Sequence, residues 1–150
     1  MIRVVVLAHL LGSVMWLGGA FASMVVGAAS RREAPDLFAV VARLQGAITR
    51  RIVAPGAAIA LLSGLWLTAD RYPGAAMAQA SPWLFVMQAA GFVGALVVLL
   101  AALPTAAKLS RIDAHGDTGP LFLLLRKRQS IVSSIAGTLA LVALIAAVML

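Results

Sequence analysis

One imidazole stands out by its setting: His9 lies within the apolar stretch LAHLLGSVMWLGGAFASMVVG, residues 7–27. Wound into a helix, His9, Ser13, Trp16, Ala20, Ser23 and Gly27 recur at spacings of three and four and share one face. A neutral imidazole on such a face can be an axial ligand to haem iron, a copper ligand, or a hydrogen-bond donor to a neighbouring helix. Gly12, Gly18 and Gly19 leave room beside His9 and Trp16 for a flat macrocycle, or simply let helices approach. With a single intramembrane histidine, bis-histidine ligation takes two chains, whereas five-coordinate iron or His/Met ligation takes one. Met15, Met24, Met87 and Met149 lie in or near the apolar segments. Copper(I) would draw on His9 with these methionines and Met77, although no dense Met or His cluster exists.

Other chemistries are excluded by what the chain lacks. It has no cysteine, and so no disulfide, thiolate site or cysteine nucleophile. Glu33, Asp36, Asp70, Asp113 and Asp117 are the five acids. All lie in connections or at span ends, so no relay of buried carboxylates crosses the apolar segments. Neither a nucleophilic triad nor a phosphate-binding glycine loop is present, and hydrolase and ion-pump functions are set aside. The net charge of +7 does not indicate nucleic acid, because the basic residues flank apolar segments instead of interleaving with aromatics.

The elements that position His9 follow from composition. With 63% hydrophobic and 11% charged residues and a mean hydropathy of +1.04, the chain reads as one integral membrane domain. The predicted fold is an all-α transmembrane four-helix bundle with spans at about residues 4–29, 52–69, 83–107 and 129–150. The uncharged run from Val4 to Ser30 is too long for the apolar core of a cleaved signal peptide. In span two, Gly56, Ala60 and Gly64 form a ladder of small residues that invites close packing, and Pro55 predicts a kink. Pro82 suits the first turn of span three, where Gln88, Gly91 and Ala95 lie on one side. Polar contacts of span four should concentrate at its start, around Ser130, Ser133, Ser134, Gly137 and Thr138.

Charge sets the expected topology. Ten of the twelve cationic residues fall in two connections: Arg31, Arg32, Arg43, Arg50 and Arg51, then Lys108, Arg111, Arg126, Lys127 and Arg128. Their side is cytoplasmic by the positive-inside rule, with both termini periplasmic in a multi-pass protein of a bacterial-type inner membrane. Trp66, Tyr72 and Trp83 then mark the outer boundary, and His9 sits in the outer leaflet about 9 Å along the helix from Arg3. Leu37, Val40, Val41, Leu44 and Ile48 repeat with helical period after a start at Pro35–Asp36, as an extension of span two or as an interfacial helix. The later connection breaks at Gly116, Gly119 and Pro120 and leaves His115 in a solvated loop.

The order His9, Trp16-Leu17-Gly18, Arg50-Arg51, Pro55-Gly56, Gly64-Leu65-Trp66-Leu67, Trp83 resembles the first three helices of the HemJ-type protoporphyrinogen oxidases. It is also similar to the related copper-resistance-D-like small integral membrane families, over roughly Ala8 to Met87. The resemblance implies a four-helix bundle that binds haem b through the first-helix histidine, here His9. It does not carry the oxidase activity. The family's lysine after the third-helix tryptophan is replaced by Leu84-Phe85-Val86-Met87, its further histidines are missing, and Gln129-Ser130 stands for its Asn-Glu pair. The expected function is therefore a small haem b protein with a redox role. His9 would be the ligand, Trp16 and Trp66 the walls, and Gln88 or Met87 the distal side. A non-enzymatic subunit, self-associating or held in a larger membrane complex, is the alternative, and copper handling with His9 and Met87 the third. The lipid bilayer is the expected surrounding, with no nucleic-acid partner.

Overall fold

In lipid a chain segment must satisfy each backbone N–H and C=O within itself, and that makes long apolar sequence into unbroken helix. The computed structural model describes residues 1–30, 37–112 and 116–150. Its four long rods are α1 (Ile2–Ala29), α2 (Phe38–Arg71), α3 (Pro82–Leu109) and α4 (Gly119–Val148). All four are long and apolar enough to cross a membrane. The Pro35–Asp36 start and the His115 loop lie outside the described residues.

Two boundaries differ from the expected spans. Helix α2 runs unbroken from Phe38, so its basic start is an extension of the span. Helix α4 begins at Gly119, ten positions before the expected 129, with Pro120 in its first turn. Hydropathy ends at Arg126-Lys127-Arg128, but these residues are good helix formers and the backbone continues through them. At 1.5 Å per residue the rods are roughly 42–51 Å long, against a hydrocarbon core of about 30 Å. The excess lies largely at the arginine-rich end. There Ala42, Leu109, Phe122 and Leu125 form a small separate core with Phe38 and Ile112 packed on it.

Prolines leave a clear mark inside two rods. A wide turn with i→i−5 hydrogen bonding, Thr49–Val53, precedes Pro55, and a second, Val98–Ala102, precedes Pro104. Ala54 N–H reaches the Thr49 carbonyl and Leu103 N–H the Val98 carbonyl. Proline has no N–H and its ring crowds the carbonyl four residues back, and widening the preceding turn relieves both. The irregularity expected at Pro55 therefore takes the form of a wide turn within a continuous rod.

The principal pairings are α1 with α2 and α3 with α4. Where α1 crosses α2, Gly12 and Gly56 meet backbone to backbone. A Cβ on Gly12 would stand 2.7 Å from Ala60 N, and one on Gly56 2.8 Å from Trp16 N. The central core is Trp16 with Val53, Ala54, Ala57, Ala60, Ala95, Val98, Ala136 and Ala140, almost entirely small residues. With lipid as apolar as leucine, association depends on such close van der Waals contact. Parts of α1 and of the end of α4 line one cavity, so both chain ends lie at one end of the bundle, opposite the arginine-rich end.

Candidate functional site

The ladder in α2 positions the histidine. Ala60 and Gly64 are one turn apart on the face packed against α1, and the His9 ring brings its Cε1 edge against Gly64. A Cβ there would come within 2.9 Å of the ring Cε1. The His9 Nδ1 is 2.9 Å from the Ala60 carbonyl oxygen and 3.2 Å from Ser63 Oγ. A carbonyl only accepts, so Nδ1 carries the proton and donates. The Ser63 hydroxyl donates to the Ile59 carbonyl and can receive the other branch of that bond. In a neutral ring Nε2 then bears the lone pair, and it makes no hydrogen bond among the described residues.

His9 lines an open-sided cavity of about 210 Å³ between α1, α2, α3 and α4. Trp16, Met87 and Gln88 line the same cavity, with Ser13, Gly64 and Gly91. Trp16 is 4% exposed, and its indole Nε1 has no hydrogen-bond partner among the described residues. Its far edge rests on Gly94, where a Cβ would stand 2.9 Å from Cη2. Gln88 Nε2 donates to Thr68 Oγ1 at 2.7 Å, and that hydroxyl donates to the Gly64 carbonyl at 3.0 Å. One hydrogen-bonded path thus links Gln88 on α3 to the residue beneath the imidazole. The rim residues Leu10, Leu65, Phe92 and Leu144 are about half exposed and apolar.

The expected residues therefore divide. His9, Trp16, Met87 and Gln88 converge on one space. Trp66 is not among its walls and is 59% exposed, which suits its other expected place, at the boundary of the apolar layer. Met149 is exposed at the end of α4 and does not line the cavity. Among the described residues no three His, Cys, Asp or Glu side chains gather as a metal site. A second and larger cavity, at the arginine-rich end, contains Ser23, Gln45 and Gln129, none of them expected as site residues. The serines opening span four were its one signal in the sequence.

The fold and its composition define a class: an all-helical chain with four helices fit to cross a membrane, compatible with a multi-pass four-helix bundle in a lipid bilayer. No family model, curated protein or solved structure matches the chain. Any functional reading rests on the residues themselves.

Proposed function

We propose that the chain is a small membrane redox protein that binds haem b through His9. The observation that carries this reading is the hydrogen bond from His9 Nδ1 to the Ala60 carbonyl. Histidines that hold a metal commonly donate their other ring nitrogen to a carbonyl or carboxylate, which fixes the tautomer and raises the basicity of the ligating nitrogen. Here that leaves Nε2 with a lone pair beside a cavity.

The other residues fit an apolar prosthetic group. Ala60, Gly64, Gly91, Ala140 and Ala143 put little bulk beside the imidazole. Turning the half-exposed rim side chains toward lipid would widen the slot for a planar ring. Met87 would offer a soft thioether as a further ligand, and Trp16, Gln88 and Ser13 are the other residues with polar groups that line the cavity. Bound haem would supply one-electron chemistry. The protein's own part is to hold Nδ1 protonated and to keep charged side chains away from the cavity.

Optical spectroscopy of detergent-purified protein, expressed with haem supply, tests this directly. A Soret band that disappears in His9→Ala, with folding intact, supports it. An equal band in wild type and His9→Ala refutes the ligand assignment.

A second reading draws on the same contact. Nδ1 joins α1 to α2, and a protein whose histidine only staples helices would be an accessory subunit. Colourless protein that copurifies with a larger membrane complex supports that reading. Its basic end would face the cytoplasm and both termini the periplasm in either case.

A further inference from the structure

Between α1, α2 and α4, at the arginine-rich end, lies a cavity of about 590 Å³. One bridging water needs only about 10–15 Å³, so the space suits a ligand of many atoms. Ser23 and Gln129 line it at 9% and 6% exposure, and Ser23 Oγ and Gln129 Oε1 have no hydrogen-bond partner among the described residues. The Gln129 Nε2 donates to Ser133 Oγ at 3.3 Å. Turning the amide over would exchange its two ends, so it presents an unused acceptor or an unused donor, but in neither case is it satisfied. Two unsatisfied buried polar groups, one on α1 and one on α4, cost free energy unless a ligand or ordered water meets them.

The cavity is graded along its length. Arg126 and Lys127 line its outer part; Arg126 Nη2 donates to Ser30 Oγ at 3.2 Å, and the guanidinium lies 3.9 Å from the centre of the Phe38 ring. Ser23 and Ser133 each lie seven residues further in, about 10 Å along their helices. Ser130 and Ser134 add hydroxyls, and Gln45 Nε2 fastens the α1 backbone by donating to the Ser23 carbonyl at 2.8 Å. The inner end is apolar, with Leu17, Phe21 and Leu141. Cation, then hydroxyl and amide, then aliphatic wall is the order of chemistry along a phospholipid, from phosphate through ester oxygens to acyl chain.

We propose that this cavity is a binding site for one anionic phospholipid, its phosphate at Lys127, its ester oxygens at Ser23, Gln129 and Ser133, and one chain against Leu17 and Leu141. Basic pockets between membrane helices bind anionic headgroups in this way. General attraction of lipid to the many arginines at this end would lack any dependence on Gln129.

The test uses the full-length protein reconstituted in equimolar phosphatidylglycerol and phosphatidylcholine of identical chains, then extracted in mild detergent, with retained lipid counted by mass spectrometry. Wild type should retain phosphatidylglycerol over phosphatidylcholine by roughly tenfold, about the effect of one to two well-placed cations. The pair Lys127→Gln with Gln129→Leu should bring that ratio close to one, and so should Ser133→Phe, which fills the cavity from another residue. Lys108→Gln, which removes a charge from the same end outside the cavity, should leave it unchanged. Equal losses in Lys108→Gln and in the cavity variants would reduce the effect to surface charge and overturn the proposal. Displacement of the retained lipid by millimolar inorganic phosphate would overturn it too, in favour of a site for a free anion. Monodisperse elution and unchanged helicity of the variants are the condition for the comparison, and the two routes to an altered cavity guard against one that misfolds.

Discussion

His9 on the first rod and Ala60 on the second are fifty-one positions apart in the chain and joined by a 2.9 Å hydrogen bond from Nδ1 to a main-chain carbonyl. Because the acceptor is backbone, no substitution of the Ala60 side chain removes it. The ring's tautomer is therefore tied to the packing of α1 on α2.

Ser63→Ala takes away only the weaker branch of that bond. It should cost less than about 1 kcal/mol in unfolding free energy and leave any Soret band in place, since the carbonyl still holds the Nδ1 proton. Gly64→Ala should do the opposite. Its methyl would press on Cε1 from 2.9 Å, and pigment content should fall although helix propensity improves. Parallel spectra of the two variants check both expectations.

Glycines along α1 and α2 should divide sharply in their tolerance of a methyl group. Gly12→Ala and Gly56→Ala drive a Cβ into the partner's backbone and should each destabilise by about 1–3 kcal/mol. Gly18, with nothing within 4 Å, should accept alanine with a gain of up to about 1 kcal/mol. Thermal or steric-trapping measurements of unfolding in micelles would rank the three.

Gln88→Leu should separate α3 from α2 at the His9 end. The lost bond to Thr68 is worth about 0.6 kcal/mol by the average for membrane proteins, and Thr68→Val should show the same coupling in a double-mutant cycle. Little loss of helicity is expected, because Thr68 still bonds to the Gly64 carbonyl within its own helix.

Sidedness is open to direct chemistry. A cysteine placed at Ala78, between α2 and α3, should react with an impermeant maleimide in intact cells. One placed at Lys108 should react only after lysis. The reverse pattern would invert the orientation drawn from the arginines.

The rods were legible because the hydrophobic requirement of a bilayer acts on composition, residue by residue. The Gly56, Ala60 and Gly64 ladder was legible as well, since small residues four apart can serve only a close neighbour. The start of α4 was not, because hydropathy measures fitness for lipid and not fitness for helix, and the two part company at Arg126-Lys127-Arg128. Trp66 carried two incompatible expectations, cavity wall and boundary residue, and only three-dimensional packing separates it from buried Trp16. Ser23 could be seen on the His9 face of α1, and the serines at the start of span four as polar contacts, but nothing singled out Gln129. That Ser23 and Gln129 share one cavity depends on the angle between α1 and α4, which no local pattern encodes.

The wide turns before Pro55 and Pro104 have one more effect. Each places one extra residue in a rod, and one residue is about 100° of rotation about the axis. What lies on the two sides of such a turn is thereby set out of phase: Ala42 can face the small core at the arginine end while Ala60 and Gly64 still look toward His9. Deleting a single residue at Thr49–Val53 would swing the histidine's seat by about 100° around the axis and return the Pro55 ring to a tight turn, so both effects follow from the length of that turn.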